Sequence, residues 1–467
     1  MKLINMFRNL IKNSNSSIIY NENNEAIKVN KAIKIGLNFF FKLGKKKLIL
    51  IISENTCESI LGYLASLASK NTCMIVDKKT NYLQIEKVIS KYKPDFIFAN
   101  KNLDFLTDKY KLFEKFKNFN FYQTKYKINK IIHKNLALLL TTSGSTGTPK
   151  FVRISYNNLQ HNTKSIIKFL KINNKDISIT TMPMSYTYGL SVINTHLFAN
   201  ASIVLNEESL FSKKFWDKIN YSKITNLNFV PFLIEILQKL KFEKMKFKNL
   251  RMITTAGGAL KKESWLYLNN LTKKKIIFVP MYGATEATSR MSYLSKKNIE
   301  KKIGSIGKGL DPKSFYLIDR KNKKIKEPFI NGELVFKGKN VCLGYASSRS
   351  DLSKGDENKN IFHTKDIGYR DSDGFYYLIG RNDRFIKIYG NRINLDEVED
   401  IFNESKYKCI CKGKTDLIII YSDVKYNEID IVKFISKKLG INILAFKFKY
   451  VKYIPKNKNG KIAYSLL

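Results

Sequence analysis

Short apolar runs alternate with helix-like stretches through the first 290 residues of this chain, which has 467 residues in all. The runs of strand length are Leu48–Ile52, Met74–Asp77, Phe96–Ala99, Leu136–Thr141, Ile177–Pro183, Ser202–Leu205, Asn226–Val230, Met252–Ala256 and Ile276–Pro280. Helical patterns lie between them, as in Glu58–Ala68, Leu190–Ala199, Phe232–Lys241 and Lys261–Asn270. This alternation is typical of β-α-β units, in which helices cover parallel sheets. It predicts an α/β fold whose large N-terminal domain is built on such sheets.

The pattern changes after Gly304. Short strands separated by glycine turns fill residues 304–378, which predicts a small β-rich segment. From Arg384 onward, strands and helices mix, with helices predicted at Leu395–Phe402 and Glu428–Leu439. We therefore predict a large N-terminal domain of residues 1–382, which includes the β-rich segment, and a small C-terminal α+β domain of residues 383–467.

Composition excludes several classes of protein. A hydrophobic content of 44% and an aromatic content of 13% are typical of a globular chain with large cores rather than a disordered one. No apolar stretch has the length of a membrane span, and the first residues lack a signal-peptide core, so we expect a cytoplasmic protein. Five scattered cysteines argue against a disulfide framework, and four scattered histidines give no metal-ligand spacing.

The formal net charge is +44, from 83 Lys and Arg against 39 Asp and Glu. Such a charge favours nucleic acid, an anionic membrane surface or an acidic protein as partner. However, Lys, Asn and Ile dominate the chain together, and aromatic residues do not interleave with basic ones as in RNA-binding modules. We therefore expect a compositional origin rather than nucleic-acid binding. An acidic acyl carrier protein remains a partner that this charge would favour.

A Ser/Thr/Gly-rich loop follows the predicted strand Leu136–Thr141 and precedes a predicted helix at Ser155–Leu170. Glycines let the backbone approach an anion, hydroxyls and backbone N–H groups donate to it, and a lysine adds charge. The sequence differs from the common P-loop, because its lysine does not directly follow a glycine. Alone, such a loop is more often a solvated turn. Its candidate phosphate-binding residues are Thr142, Ser143, Gly144, Ser145, Thr146, Gly147 and Lys150.

Four more clusters accompany the loop. The first follows the predicted strand Ile276–Pro280 and contains Tyr282, Gly283, Thr285 and Glu286. Ligands bind at the carboxyl ends of parallel strands. The aromatic, hydroxyl and carboxylate side chains of this cluster suit a purine face, a phosphate and Mg²⁺, respectively. Upstream of this cluster, Gly257-Gly258-Ala259 would let a flat ring approach the backbone. The remaining clusters are Thr364-Lys365-Asp366 with Gly368, the run Gly380–Ile393, and Asn459-Gly460-Lys461-Ile462.

In this order and spacing, the five clusters resemble the AMP-forming adenylate superfamily of acyl-CoA synthetases, peptide-synthetase adenylation domains and firefly luciferase. The resemblance covers residues 30–467, and it implies ATP and Mg²⁺ as cofactors. It implies a pyrophosphate-binding loop at 142–150, an adenine pocket at Gly257, Gly258, Ala259 and Tyr282, and an α-phosphate contact at Thr285. It further implies a Mg²⁺ ligand in Glu286, a ribose-binding Asp366 beside Arg381, a hinge at Asp383, an adenylation lysine in Lys461 and a thioester-forming loop at Lys387 and Gly390.

The implied chemistry joins two anions, a carboxylate and the α-phosphate of ATP. Lys461, Lys150 and Mg²⁺ would neutralise the charge that builds in the transition state. No general base is needed, because the carboxylate is already ionised. A thiol then attacks the acyl-adenylate, and the resemblance implies a rotation about Asp383 that exchanges Lys461 for Lys387.

The acid pocket is implied at Met182–Leu190, with Tyr186 and Gly189 as its candidate residues. Amino-acid-activating relatives carry an aspartate in this region, and none lies between Met182 and His196, which favours an acid without an α-ammonium group. Two positions depart from the family pattern: Lys365 stands where a glycine is usual, and Phe151 stands where a glycine often follows the loop lysine.

The sequence therefore predicts an acid–thiol ligase that forms an acyl-adenylate and transfers the acyl group to coenzyme A or to the phosphopantetheine of a carrier protein. Two alternatives stay open. One is an amino-acid-activating carrier-protein ligase, and the other is a non-catalytic nucleotide-binding protein on the same fold.

Overall fold

The computed structural model describes residues 17–21, 23, 25–126, 131–141, 150–272, 276–381, 384–388, 391–414, 416–457 and 461–467. The chain forms two compact units. The large unit comprises Met1–Ile303, Gly309–Asp311 and Lys337–Phe362, and the small unit comprises Gly304–Lys308, Pro312–Phe336 and His363–Leu467. The domain boundary at residue 382 and the hinge at Asp383 stay predictions, since both residues lie outside the described part.

Helices and strands are numbered here in chain order. The helices are α1 Val29–Lys42, α2 Cys57–Ala68, α3 Tyr82–Tyr92, α4 Asp104–Thr107, α5 Tyr156–Leu170, α6 Thr187–Phe198, α7 Lys213–Tyr221, α8 Pro231–Lys239, α9 Lys262–Thr272, α10 Leu395–Asn403 and α11 Glu428–Leu439. The strands of the large unit before residue 300 are β1 Ile18–Tyr20, β2 Ala26–Lys28, β3 Leu48–Ser53, β4 Thr72–Asp77, β5 Phe96–Asn100, β6 Lys111–Phe116, β7 Phe119–Gln123, β8 Leu136–Thr141, β9 Phe151–Ser155, β10 Ile177–Ile179, β11 Ser202–Val204, β12 Asn226–Phe229, β13 Met252–Thr255, β14 Ile277–Tyr282 and β15 Ser292–Tyr293. The remaining strands are β16 Ser305–Gly309, β17 Phe315–Ile318, β18 Lys324–Ile325, β19 Gly332–Lys337, β20 Tyr345–Ala346, β21 Ile361–Arg370, β22 Tyr376–Arg381, β23 Phe385–Ile388, β24 Asn391–Asn394, β25 Ile410–Lys414, β26 Leu417–Ser422 and β27 Phe446–Tyr450.

One sheet of the large unit has the strand order β20-β9-β8-β4-β3-β5-β7-β6. Its four central strands are parallel, and antiparallel strands flank them on both sides. Alternate residues of β3 enter different cores: Ile49 and Ile51 pack into one cluster, and Leu50 and Ile52 pack into another. Both faces of the sheet are therefore buried, which explains why its strands are apolar throughout rather than alternating.

The other sheet of the large unit runs β15-β14-β13-β12-β10-β11-β1-β2. Strands β14 to β1 in this order are parallel, and the two edge strands are antiparallel. Because β13 and β14 are neighbours, the segments after Thr255 and after Tyr282 emerge at the same carboxyl edge. This edge of a parallel sheet is where ligands bind in α/β proteins.

Local sequence signals fix the helix ends. Helix α5 begins with a capping box, in which the Ser155 hydroxyl accepts from the Asn158 N–H at 3.1 Å and the Asn158 side chain accepts from the Ser155 N–H at 2.8 Å. Helix α8 has Pro231 in its first turn, where a missing N–H costs nothing. Helix α11 ends at Gly440, whose φ of 66° is the left-handed conformation that glycine adopts freely.

The small unit contains the sheet β18-β17-β19-β21-β22-β16, the hairpin β23–β24 and the sheet β25-β26-β27. Helices α10 and α11 pack with the three-stranded sheet around a core that includes Val398, Ile418, Ile420 and Ile431. The predictions of an α/β fold and of a C-terminal α+β region are confirmed.

Several elements differ from the predictions. The predicted run Ile177–Pro183 contributes only the short β10, and α6 begins at Thr187 rather than Leu190. An unpredicted strand, β9, separates the loop at 142–150 from α5, so the loop joins two antiparallel strands instead of a strand and a helix. The five cysteines are buried and free. In the parts of the chain that the structure describes, no helix combines the length and apolar character needed to cross a bilayer.

Candidate active site

The phosphate-loop prediction falls mostly outside the described residues. Six of its residues lie outside the described part, and their roles stay predictions: Thr142, Ser143, Gly144, Ser145, Thr146 and Gly147. The flanking strands are described: Thr141 at the end of β8 pairs with Phe151 at the start of β9. Lys150 is exposed directly before β9. Phe151 is fully buried and packs edge-on against Tyr92, so this departure from the family glycine fills a core position.

The end of β14 carries the second cluster of the large unit. Tyr282 is half-buried there, and the chain then turns tightly, since a Cβ on Gly283 would overlap the Ser289 carbonyl oxygen. The Thr285 hydroxyl lies 2.8 Å from the Thr187 hydroxyl at the start of α6. The turn therefore brings the strand end and the helix start together through two hydroxyl side chains.

Glu286 is held by a residue that the sequence did not indicate. Its Oε1 accepts a hydrogen bond of 2.8 Å from the hydroxyl of Tyr345. Arg153 in turn fixes the backbone of Tyr345, because its Nε donates to the Tyr345 carbonyl oxygen at 3.0 Å. No local signal could have indicated this partner, since 59 positions separate Tyr345 from Glu286.

Glu286 fits the magnesium role by its chemistry. Mg²⁺ that is bound with nucleotide phosphates takes one or two protein carboxylates and keeps water or phosphate oxygens as its other ligands. Among the residues that the structure describes, no group of three or more His, Cys, Asp or Glu could form a dedicated metal cage. A single carboxylate at the edge of a sheet is therefore compatible with a metal that arrives with ATP.

The glycine cluster follows β13 at the same sheet edge. Gly257 has a φ of +96°, and a Cβ on it would collide with the hydroxyl of Tyr186. Gly258 and Ala259 are exposed. A residue without a side chain is thus required at Gly257 for both reasons, conformation and space. The arrangement places the ring of Tyr186 directly against the predicted adenine-pocket segment.

Tyr186 and Gly189 begin helix α6. Tyr186 is the residue before the first helical position, and burial raises the pKa of its phenol, against the lowering charge of Arg290. A Cβ on Gly189 would collide with the carbonyl oxygen of Pro183, so the helix start packs on the preceding turn. The structure thus brings Tyr186, one of the predicted acid-pocket residues, next to Gly257 within the large unit.

The small unit brings together three of the predicted residues. Asp366 and Arg381 face each other across β21 and β22, and Arg381 Nε lies 3.8 Å from Asp366 Oδ1. Desolvation and the charge of Arg381 lower the pKa of Lys461, whereas the charge of Asp366 raises it. Lys461 nevertheless keeps an exposed surface, so its ammonium lies near charged groups and is still accessible to a ligand.

Lys461 is hydrogen-bonded to Asn457. The Lys461 N–H donates to the side chain of Asn457 at 3.0 Å, and the Asn457 N–H donates to the Lys461 carbonyl oxygen at 2.7 Å. The next residue, Ile462, forms an antiparallel bridge with Lys456. Lys387 lies in β23 opposite Arg392 of β24. Asp383 and Gly390 lie outside the described residues, and the roles of Lys387, Asp383 and Gly390 stay predictions.

Comparisons with known proteins agree with this architecture. A family model described as AMP-binding enzyme matches residues 36–346. Oxalate–CoA ligase of Saccharomyces cerevisiae is 23% identical, and the match covers 98% of this chain and 89% of that protein. 2-Succinylbenzoate–CoA ligase of Listeria innocua is 27% identical, over 70% of this chain and 68% of that protein. Indoleacetate–CoA ligase of Aromatoleum aromaticum is 28% identical, over 57% of this chain and 52% of that protein.

Solved structures share the fold. o-Succinylbenzoate CoA synthetase of Bacillus subtilis, in complex with its acyl-adenylate intermediate, has a TM-score of 0.78 at 20% identity and covers 99% of this chain and 97% of that chain. ATP-bound MatB of Rhodopseudomonas palustris has a TM-score of 0.80 at 17% identity, with coverage of 99% and 98%. The family match spans well over half of the chain. The chain therefore belongs to the AMP-binding enzyme family, within the AMP-forming adenylate superfamily, as an AMP-forming ligase.

Proposed function

We propose that this ligase joins a carboxylic acid to coenzyme A in two steps, with ATP and Mg²⁺. In the first, a carboxylate oxygen attacks the α-phosphorus of ATP, a P–O bond forms, and the bond to pyrophosphate breaks. In the second, the thiol of coenzyme A loses its proton to solvent, its sulfur attacks the acyl carbon, a thioester forms, and AMP leaves with the bonding electrons. Three relatives named above are CoA ligases, which supports coenzyme A as the acceptor.

The observation that carries this proposal is the grouping of Lys461 with Asp366 and Arg381 in the small unit. A carboxylate that binds two ribose hydroxyls and a lysine that bridges two anions must both be close to one nucleotide. Desolvation is the main reason for the lowered pKa of Lys461, and the charges of Arg381 and Asp366 act on it in opposite directions, which supports an ammonium that lies near both side chains. In such surroundings a fixed cation stabilises developing negative charge more strongly than it does in water.

The large unit supplies the groups that would act on the triphosphate and the acid. Thr285 is oriented by the Thr187 hydroxyl, and Glu286 by the Tyr345 hydroxyl. When bound at Glu286, Mg²⁺ would neutralise phosphate charge. Lys150 is exposed, and its charge would neutralise part of the charge of a leaving pyrophosphate. None of these groups has to move a proton in the first step, since the attacking carboxylate is ionised at neutral pH.

ATP–pyrophosphate exchange tests the first step. The wild-type chain, with Mg²⁺ and a panel of short, medium, aromatic and amino acids, should show exchange that depends on one class of acid. Lys461→Ala should lower the exchange rate by about 100-fold or more, because it removes a preorganised charge from the transition state. Lys452→Ala is the matched control, since Lys452 is an exposed lysine of the same segment. Full exchange in Lys461→Ala would overturn the role assigned to this lysine.

Acceptor choice is tested with preformed acyl-adenylate. Coenzyme A should accept the acyl group, and Lys387→Ala should slow this transfer while leaving exchange unchanged. Transfer only to a phosphopantetheinylated acidic carrier protein would replace coenzyme A as acceptor, and exchange only with amino acids would favour the amino-acid-activating alternative. ATP binding without exchange for any acid would favour a non-catalytic nucleotide-binding protein.

A further inference from the structure

Arg290 is a buried cation near the predicted acid pocket. The residue is 3% exposed and follows Glu286 by four positions. Its guanidinium stacks on the ring of Tyr188, with Cζ 3.9 Å from the ring centroid. Nε lies 3.4 Å from the sulfur of Met281, and one terminal nitrogen donates to the hydroxyl of Ser289. These neighbours are an aromatic face, a thioether and a hydroxyl, all of them uncharged.

No carboxylate of the described residues pairs with this guanidinium. The other arginines that are largely withdrawn from solvent show what the fold usually provides, because burying a charge without a partner costs several kcal/mol. Each of them contacts an acidic side chain: Arg153 contacts Glu357, Arg349 contacts Asp95, and Arg384 contacts Asp396 and Glu399.

The neighbouring tyrosines do not supply the missing negative charge. Burial raises the pKa of Tyr188 to about 12, although Arg290 opposes the rise. Tyr186 has a raised pKa for the same reason. Both phenols are therefore neutral at physiological pH. Burial lowers the pKa of Arg290 itself, but a guanidinium stays charged in proteins. The charge is thus present, and no described residue compensates it.

The fold holds Arg290 in place through its backbone. The side-chain amides of Asn162 and Asn340 both donate to the carbonyl oxygen of Arg290, at 2.8 and 3.1 Å. Both asparagines are themselves buried. Two buried amides therefore hold Arg290 in place. Its unpaired, buried charge destabilises the fold unless a ligand binds it.

The surroundings of Arg290 are those of the acid pocket. Tyr186 and Tyr188 lie at the start of α6, and Met281 lies in β14 next to its last residue, at the sheet edge where Gly257 and Glu286 emerge. Tyr186 is partly exposed and lies against Gly257. The phenol of Tyr186 is close enough to Arg290 for the two groups to affect each other's pKa, so the partly exposed ring lies near the buried guanidinium.

We infer that Arg290 binds a second carboxylate of the acid substrate, so that the ligase prefers dicarboxylic acids, with one carboxylate activated and the other held by the guanidinium. This inference rests on the proposed function, because it names the substrate class of the same site. The planar fork of a guanidinium matches the two oxygens of a carboxylate. The ligand would supply the negative charge that the described chain does not, while Tyr188 keeps the guanidinium plane in position.

The test is ATP–pyrophosphate exchange with length-matched acids: malonate to suberate against propionate to octanoate. The wild-type chain should favour a diacid over the monoacid of equal length. Arg290→Met should lower kcat/KM for that diacid by about 100-fold or more, because a buried ion pair is lost. It should leave or raise activity with the monoacid, since methionine fills similar space without charge. Arg290→Lys should restore part of the diacid activity.

A purely structural role for Arg290 predicts different results. In that case Arg290→Met would lower thermal stability and reduce exchange with diacids and monoacids alike. Tyr188→Phe is the comparison variant: it keeps the ring under the guanidinium but removes the hydroxyl, which lies 2.6 Å from the Thr254 hydroxyl and also interacts with Arg290. It should lower stability and change the ratio of diacid to monoacid activity far less than Arg290→Met does.

The outcomes separate the two proposals. A wild-type exchange rate that is equal for monoacids and diacids, or higher for monoacids, overturns the role of Arg290. An Arg290→Met variant with an unchanged ratio of diacid to monoacid activity overturns it as well. Both results leave the ligase proposal standing. Exchange with no acid of the panel contradicts both proposals. A diacid preference that Arg290→Met reverses, at unchanged or higher melting temperature, supports both.

Discussion

Arg384 forms an ion cluster with Asp396 and Glu399 in the small unit, and removing its charge should destabilise that unit. Its Nε donates to Asp396 at 2.7 Å and a terminal nitrogen donates to Glu399. The aromatic ring of Tyr464 lies 4.0 Å from its Cζ. The Arg384 and Glu399 side chains are 13% and 11% exposed. Burial alone would lower the pKa of Arg384, but the charge of Glu399 raises it instead, so we treat the pair as ionised at neutral pH.

The magnitude follows from what Glu399 keeps in an Arg384→Met variant. Removing one partner of a buried ion pair costs about 3–5 kcal/mol when the other charge is left alone. Here Glu399 retains two donors at 2.7 Å, the Cys411 N–H and the Tyr464 hydroxyl. These bonds solvate the carboxylate in part, so we expect a loss of about 2–3 kcal/mol in the free energy of unfolding. Glu399→Gln in the Arg384→Met background should recover part of it.

The loss should depend on pH in one direction. Burial raises the pKa of Glu399, and Arg384 opposes that rise. Without Arg384 the folded-state pKa should lie further above the unfolded value. A carboxyl with a raised folded pKa contributes stability below the unfolded pKa and loses it as pH rises through the folded pKa. The destabilisation by Arg384→Met should therefore be largest at neutral pH and smaller in mild acid.

Urea titration of the full chain, followed by hydrogen exchange of amides in β25 and β26, measures this effect in the small unit. Exchange should accelerate there in Arg384→Met, while amides of β3 and β4 in the large unit serve as the internal control. A change below about 0.5 kcal/mol at neutral pH, or a Glu399→Gln change that adds fully to that of Arg384→Met, would refute the argument.

Four further changes test the site and the fold. Tyr345→Phe should raise the Mg²⁺ concentration needed for half-maximal exchange about fivefold, because Glu286 loses an orienting hydrogen bond at a partly exposed position; an unchanged Mg²⁺ titration would contradict this role. Arg381→Gln should shift the alkaline limb of the exchange rate to higher pH, because Arg381 lowers the pKa of Lys461; a limb that stays in place would exclude Lys461 as its origin. Gly257→Ala should cost about 1–3 kcal/mol in thermal stability through its φ of +96° and its collision with Tyr186, and an unchanged melting temperature would show that Tyr186 moves freely. Lys171→Gly should stabilise the chain by about 0.5–1 kcal/mol, since Lys171 ends α5 at a φ of 53°; a destabilised variant would mean that its side chain contributes more than its strain costs.

The sequence predicted the elements whose packing is local and missed those that depend on distant partners. Strand β8 has the predicted bounds, and so does helix α11, because an unbroken apolar run and an Asn cap with a terminal glycine are signals within the segment. Strands β6 and β7 carry polar and aromatic residues together. They are strands because they add to the edge of β5, which the segment itself does not indicate.

The site shows the same division. Motifs singled out Gly283, Thr285 and Glu286 as candidate site residues, because glycine, hydroxyl and carboxylate after a strand have a chemical meaning by themselves, and their roles stay predictions. Tyr345 and Arg290 carried no such signal. The hydroxyl of Tyr345 reaches Glu286 because β20 pairs with β9. Arg290 is notable because no carboxylate of the described residues pairs with it in the folded chain.

Lysines occupy many left-handed backbone positions of this chain, and residue 365, where the family usually has glycine, is one of them. Among the described non-glycine residues with positive φ, most are lysine: Lys46, Lys70, Lys93, Lys117, Lys171, Lys223, Lys241, Lys359 and Lys365. Such positions normally favour glycine or asparagine, since a Cβ in the left-handed region costs about 1 kcal/mol.

Lys365 has a φ of 62° and an exposed side chain, beside Asp366. The usual glycine at this position is therefore explained by backbone conformation and not by chemistry at the site. A compositional bias toward lysine would place lysines at left-handed backbone positions such as these. At residue 365 the lysine leaves Asp366 with the backbone conformation that a glycine would provide.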